Sequence, residues 1–112
     1  MNERFRFLAL QEAKDFLSGL DRKTRKKVMF NIWKSKTVND KELFKPLLDE
    51  IWEFRTLFNK KYIRLFAFWD KDNEKDTVVV ATHGIFKTTA KIPKSDIERA
   101  KRIRLKYLKH KK

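Results

Sequence analysis

Residues 50–86 hold three stretches rich in aromatic and β-branched side chains, and only short polar turns separate them. The first two, residues 50–58 and 61–69, flank Asn59-Lys60, a dipeptide suited to a tight hairpin turn. The third, residues 77–86, follows a solvated stretch at 70–76 and contains the run Val78-Val79-Val80-Ala81. Consecutive strands joined by tight turns must pair with their neighbours, so this region predicts a three-strand antiparallel meander.

The flanking segments follow a different period. Ala9 and Leu10, Ala13, Phe16 and Leu17, and Leu20 recur at helical spacing, with Gly19 placed to end the helix. Asp21 reads as the N-cap of a second helix whose apolar positions are Val28, Met29, Ile32 and Trp33. Phe5-Arg6-Phe7 could add a short N-terminal strand. Pro93 interrupts the chain, and Ser95 with Glu98 forms a capping-box pattern before a last helix. The apolar face of that helix is Ile97, Ala100, Ile103 and Tyr107, and its outer face is basic. The expected order is (β)ααβββα, an α+β fold in which a helical hairpin and a C-terminal helix pack on a small twisted antiparallel sheet. At 112 residues the chain suits one domain over its whole length, with residues 109–112 as a frayed basic tail.

Charge then limits the partners. The formal net charge is +14, from 29 Lys and Arg against 15 Asp and Glu. Residues 94–112 hold nine basic and two acidic residues, which is half of the excess. So strong a positive field favours a polyanion; nucleic acid leads because phosphate neutralisation dominates such affinities, and charge alone leaves an anionic membrane surface or an acidic protein partner open. Cys is absent, which excludes disulfides and thiolate metal sites and fits a reducing cytoplasm. No apolar run is long enough to span a membrane, and the N-terminus lacks the apolar core of a signal peptide. His, Asp and Glu fall at no metal-ligand spacing, so neither metal nor cofactor is expected.

Five short patterns succeed one another along the chain. They are Phe44-Lys45-Pro46-Leu47, Trp52-Glu53-Phe54-Arg55, Tyr62-Ile63-Arg64-Leu65-Phe66, His83-Gly84-Ile85-Phe86-Lys87-Thr88, and Lys91-Ile92-Pro93 before a helix. In order and spacing they resemble the RelE/ParE toxin superfamily, most of all its HigB-like, phage-associated branch. Thr88 departs from that pattern, standing where the branch has a second lysine, and Lys91 is the candidate replacement.

The resemblance implies the toxin of a type II toxin–antitoxin system, a metal-independent, ribosome-dependent endoribonuclease that cuts mRNA during translation. Its partners would be mRNA and ribosomal RNA on the ribosome. A helix-turn-helix antitoxin of the HigA kind would also bind it and carry it indirectly to operator DNA. Such cleavage uses the 2′-hydroxyl as nucleophile and needs cations around the phosphorane-like transition state, a proton acceptor and a donor for the leaving oxygen.

Arg64 is the first candidate, on one strand face with Tyr62, Phe66 and Phe68, either clamping a phosphate or pairing with Glu53. Lys87 and His83 share a face of the third strand; Lys87 suits a phosphate ligand or acid, and His83 suits proton transfer unless it is structural. Arg55, beside Glu53, is the fourth catalytic candidate. Lys60, Lys61, Lys91 and Lys94 are candidate RNA contacts, the last two near a helix N-terminus that favours phosphate. Trp69, at a strand end, could stack on a base, whereas the Trp residues in general are expected in the core. Two other readings share the fold: a ParE-like inhibitor of DNA gyrase and a non-catalytic RNA-binding module.

Overall fold

The computed structural model describes residues 3–71, 77–87 and 91–111. Its elements are β1 (Arg6–Ala9), α1 (Gln11–Ser18), α2 (Arg22–Thr37), β2 (Phe44–Leu48), β3 (Ile51–Phe58), β4 (Lys61–Asp70), β5 (Val78–Lys87) and α3 (Lys94–His110). The strands form one sheet in the order β1-β5-β4-β3-β2. The meander expected from the sequence is β3-β4-β5, and Asn59 and Lys60 make its first turn with φ of 52° and 62°. Both central residues are left-handed, as a two-residue turn matched to strand twist requires, and Asn tolerates that conformation better than most residues.

Two strands change the expected sheet. β2 extends it beyond β3 through a second tight turn at Asp49 (φ 55°), pairing Phe44 with Phe54 and Lys45 with Glu53. Pro46 had masked this strand, because proline cannot donate to a ladder, but an edge position tolerates it. β1 is a true strand, yet it runs parallel to β5, with Arg6 opposite Val78, so the sheet is mixed rather than antiparallel. β1 meets β5 across most of the chain, and local patterning carries no information on the direction of so distant a pairing.

The helical hairpin forms as expected, and side chains close its ends. Asp21 caps α2 by accepting from the Thr24 backbone N–H at 2.9 Å and from its hydroxyl at 2.8 Å. Those bonds hold the Asp21 carboxyl below its usual pKa. The Arg25 guanidinium reaches back to the carbonyls of Ser18 and Leu20, and Arg4 donates to those of Ser35 and Val38, so an arginine satisfies each helix C-terminus. The capping box at Ser95 does not form. α3 starts one residue after Pro93, its N-cap, which leaves Ser95 and Asp96 inside the first turn. The tail is also less free than expected: α3 continues to His110, and Lys111 donates to both carboxylate oxygens of Asp70 at 2.6 and 2.7 Å.

Each sheet face has its own core. Phe54, Ile63, Leu65, Ala67, Val79 and Ala81 pack beneath α1 and α2. Ile51, Phe66, Phe68 and Val80 pack beneath α3 around Ala100. The faces are kept in register by a β-bulge in β5. Phe66 pairs with His83, whereas the next residue, Ala67, pairs with Ala81. Thr82 is therefore extra, and its hydroxyl donates to the Phe66 carbonyl at 3.3 Å. Past the bulge, alternation is inverted: Gly84 and Phe86 turn toward α1, and His83, Ile85 and Lys87 turn to the other face.

α2 seats itself through Thr24, Val28, Asn31, Ile32 and Ser35, with Asn31 donating to the Thr56 hydroxyl at 3.1 Å. Three polar residues, Thr24, Asn31 and Ser35, thus share the buried stripe, and the apolar Met29 and Trp33 lie outside it, 40% and 58% exposed. Trp33 is not a core residue, contrary to the general expectation for tryptophan.

Gly84 has a steric reason. A Cβ there would overlap the Phe16 ring of α1. Gly84→Ala should therefore lower stability by about 1–3 kcal/mol, the usual scale of overpacking. In a denaturant titration the midpoint should fall at unchanged slope, and Phe16→Ala in the same chain should relieve the clash and make the two changes non-additive.

Candidate functional site

Arg64 pairs across the β3–β4 ladder with Arg55, and across the β4–β5 ladder with Ile85. The same registers bring Glu53 opposite Phe66, and Tyr62 opposite Lys87. Alternation then places Glu53, Arg55, Tyr62, Arg64, Phe66, His83, Ile85 and Lys87 on one face, with Lys45 of β2 joining through its pairing with Glu53. α3 covers the half of this face around Phe66 and Phe68. The half toward the Asn59-Lys60 turn carries the cations, and there Lys45, Arg55, Tyr62, Ile85 and Lys87 are partly exposed.

The centre of this half is a buried ion pair. Arg64 is 1% exposed, and its guanidinium is hydrogen-bonded to Glu53, which is fully buried. Arg55 approaches the same Glu53 oxygen at 4.0 Å and reaches Glu42 at 3.6 Å. Both guanidinium groups lie near the Tyr62 ring, at 5.1 Å for Arg64 and 5.6 Å for Arg55. Burial pushes the Glu53 carboxyl above its usual pKa, although Arg64, Lys45 and Arg55 all pull it down. Desolvation outweighs three cations because no donor among the described residues reaches its second oxygen.

His83 lies under α3. Its ring stacks on Phe66 at 4.8 Å, Nδ1 is 3.1 Å from the Thr82 hydroxyl, and Nε2 is 3.2 Å from Asp96 of α3. It is 1% exposed, and burial lowers its pKa although Asp96 opposes the shift. With both ring nitrogens engaged, His83 joins the Thr82 bulge to the first turn of α3.

The other candidates scatter. Lys60 is exposed at the hairpin tip, next to the cationic half. Lys61 is exposed at the same end but alternates to the helix side, where its ammonium lies 6.0 Å from the Phe86 ring. Lys91 and Lys94 are exposed where the chain enters α3. Trp69 is on the opposite face, edge-on to Phe5 and Trp52 and tilted against Phe44 in an aromatic core cluster, so it is not placed with the cations. Thr88 lies outside the described residues. Sequence reasoning missed Lys45 as a site residue, because its strand was hidden by Pro46, and Asp96, which no motif singled out. The alternation of Lys45 with Phe44 in an edge strand would have revealed the first.

A mixed five-strand sheet with two N-terminal helices, a C-terminal helix and a basic patch on one face is an α+β arrangement of the RelE-like kind. The family described as Phage derived protein Gp49-like (DUF891) matches residues 15–105, and the chain belongs to it. That family is toxin-like, and so is this protein. No curated protein matches the chain. No helix among the described residues is long and apolar enough to cross a membrane.

Arg64→Ala strands a buried carboxylate and should cost about 3–5 kcal/mol, whereas Arg64→Met with Glu53→Leu removes both charges and should restore most of that loss in chemical denaturation. His83 binds its proton less tightly in the folded protein than in the unfolded chain. As pH falls below about 6.5, the unfolded state therefore protonates first and stability drops. The denaturation midpoint of His83→Gln, measured across the same range, should lack this component.

Proposed function

We propose that this toxin-like protein is a metal-independent, ribosome-dependent endoribonuclease of the HigB-like branch that cuts mRNA during translation. The observation that supports this reading is the cluster of Lys45, Arg55, Tyr62 and Lys87 on the uncovered half of one sheet face, braced from beneath by Arg64 and Glu53. Strand positions hold such groups more rigidly than loops would, as a site that stabilises a short-lived anion requires.

In the proposed reaction the 2′-hydroxyl of one nucleotide attacks the adjoining phosphorus in line. Its proton leaves to a base, the bond to the 5′-oxygen breaks, and the products are a 2′,3′-cyclic phosphate and a 5′-hydroxyl. Lys87 is assigned to the developing charge and the leaving oxygen, and Arg55 to a non-bridging oxygen. Tyr62 offers a ring on which a base can stack. Arg64 is assigned a positioning role, because a guanidinium so deeply buried holds Glu53, Tyr62 and Arg55 in place more readily than it reaches a phosphate. His83, engaged by Thr82 and Asp96, is assigned to holding α3 against the sheet. Lys60, Lys91 and Lys94 are assigned to sequence-independent contact with ribosomal RNA. The expected partner that restrains the activity in the cell is a helix-turn-helix antitoxin.

The test is a translation reaction programmed with a defined transcript, followed by mapping of transcript ends. Wild type should produce ribosome-dependent cuts ending in a cyclic phosphate. Lys87→Ala should slow them about 10²–10³-fold, the usual loss when one donor to a developing anion is removed. Lys87 is a partly exposed strand end, so this variant should fold normally. Intact transcripts together with inhibited gyrase supercoiling would favour the ParE-like reading instead, and binding of ribosomes without either effect would leave an RNA-binding module.

A further inference from the structure

The outer face of α2 has the composition of an interface and no covering element among the described residues. Phe30 and Trp33 are 49% and 58% exposed, and their rings lie against each other with centroids 6.0 Å apart. With Val38, Thr37 and the stem of Lys34 they line a groove of about 530 Å³, and Met29 extends the apolar surface. Leaving two large aromatic rings in water in a chain this polar forfeits burial that a few substitutions would recover, and clustered exposed apolar surface of this kind marks interaction sites.

Charge narrows the occupant. α2 carries seven cations and no acidic residue between Arg22 and Thr37. Lys27 lies 5.6 Å from the Phe30 ring, and Lys34 borders the groove. A second copy of this chain would bring the same charge to the contact and be repelled. RNA would tolerate the cations, but Phe30 and Trp33 lean together at 37° rather than opening a slot for a base. The rest of the lining, Glu3, Lys34, Thr37 and Val38, offers no further ring on which a base could stack. An acidic peptide with bulky apolar side chains fits both the rings and the charge.

We propose that the outer face of α2, centred on Phe30 and Trp33, is the docking site for an acidic amphipathic segment of a partner protein. α2 packs against the sheet face opposite Arg55, Tyr62 and Lys87, so the occupant binds without covering the cationic half of the other face. The two surfaces can be filled at once, and the docking site stands whether or not the chain cuts RNA.

The test uses the full chain and a panel of synthetic peptides with glutamates on one helical face and leucine or phenylalanine on the other, with binding measured by calorimetry. Members of the panel should bind wild type, and Phe30→Ser and Trp33→Ser should each weaken them about tenfold or more, the scale of a hot-spot residue. Lys34→Glu should weaken them through charge alone. The aromatic side chains replaced are about half exposed, so thermal melts should match wild type, and Lys87→Ala should bind the peptides unchanged. Three outcomes overturn the proposal: no member of the panel binds, binding survives Phe30→Ser and Trp33→Ser, or oligouridylate displaces the peptides and itself requires Trp33. The last would make the face an RNA platform.

Discussion

The bulge at Thr82 decides which side chains can meet. Alternation along β5 would otherwise put His83, Ile85 and Lys87 on the same face as Val79 and Ala81, under α1. One extra residue inverts the alternation halfway along the strand, so the apolar residues before it and the basic residue after it each face the surface they suit. The inversion also requires a glycine. Gly84 turns toward α1, where the Phe16 ring occupies the space of a side chain. The hydroxyl of Thr82 fastens the bulge to the Phe66 carbonyl and contacts the His83 ring, and His83 in turn contacts Asp96. A backbone irregularity of one residue thus sets the position of Lys87, the approach of α1 and the start of α3.

The sequence revealed those parts of the fold that depend on local pattern. The helical hairpin, the cap at Asp21, the turn at Asn59-Lys60 and the meander were legible because each is fixed by residues close in the chain. β2 was hidden by Pro46, which argues against a strand everywhere except at an edge, and nothing local marks an edge. The direction of β1 depends on a partner about seventy residues away. The apolar stripe of α2 misled for another reason: Asn31 and Ser35 are buried because each finds a hydrogen bond, and this rotates Met29 and Trp33 outward. Hydropathy cannot anticipate the burial of Asn31, whose partner Thr56 lies on another element, or of Ser35, which bonds back to the Asn31 carbonyl.

The candidate site was legible in its membership and not in its depth. Shared faces followed from alternation, so Tyr62 with Arg64, and His83 with Lys87, could be grouped from the sequence. Arg64 looked like a surface group because arginine usually is one. Its near-complete burial comes from an acid on the neighbouring strand, and only the β3–β4 register brings Glu53 close enough. Breaking such a pair is expensive, whereas replacing both members with apolar residues is not, so its presence is weak support for stability and better support for geometry. Here it fixes two guanidinium groups around one aromatic ring, at the centre of the cationic half of the face.

Net charge and candidate chemistry occupy different parts of the molecule. Most of the excess is on α2 and α3, whereas the central strands are nearly balanced, and the cations they do carry are held in ladder positions. A diffuse field attracts polyanions from a distance and is screened by salt. A rigid cluster acts only at contact. α2 adds a third element, because its charge surrounds exposed aromatic rings rather than a polar surface. Charge alone would need no such rings, and a core would not leave them in water. Their combination on one helix, behind the sheet, suits recognition of an acidic protein better than retention of RNA, which has the whole of the basic outer face of α3 available to it.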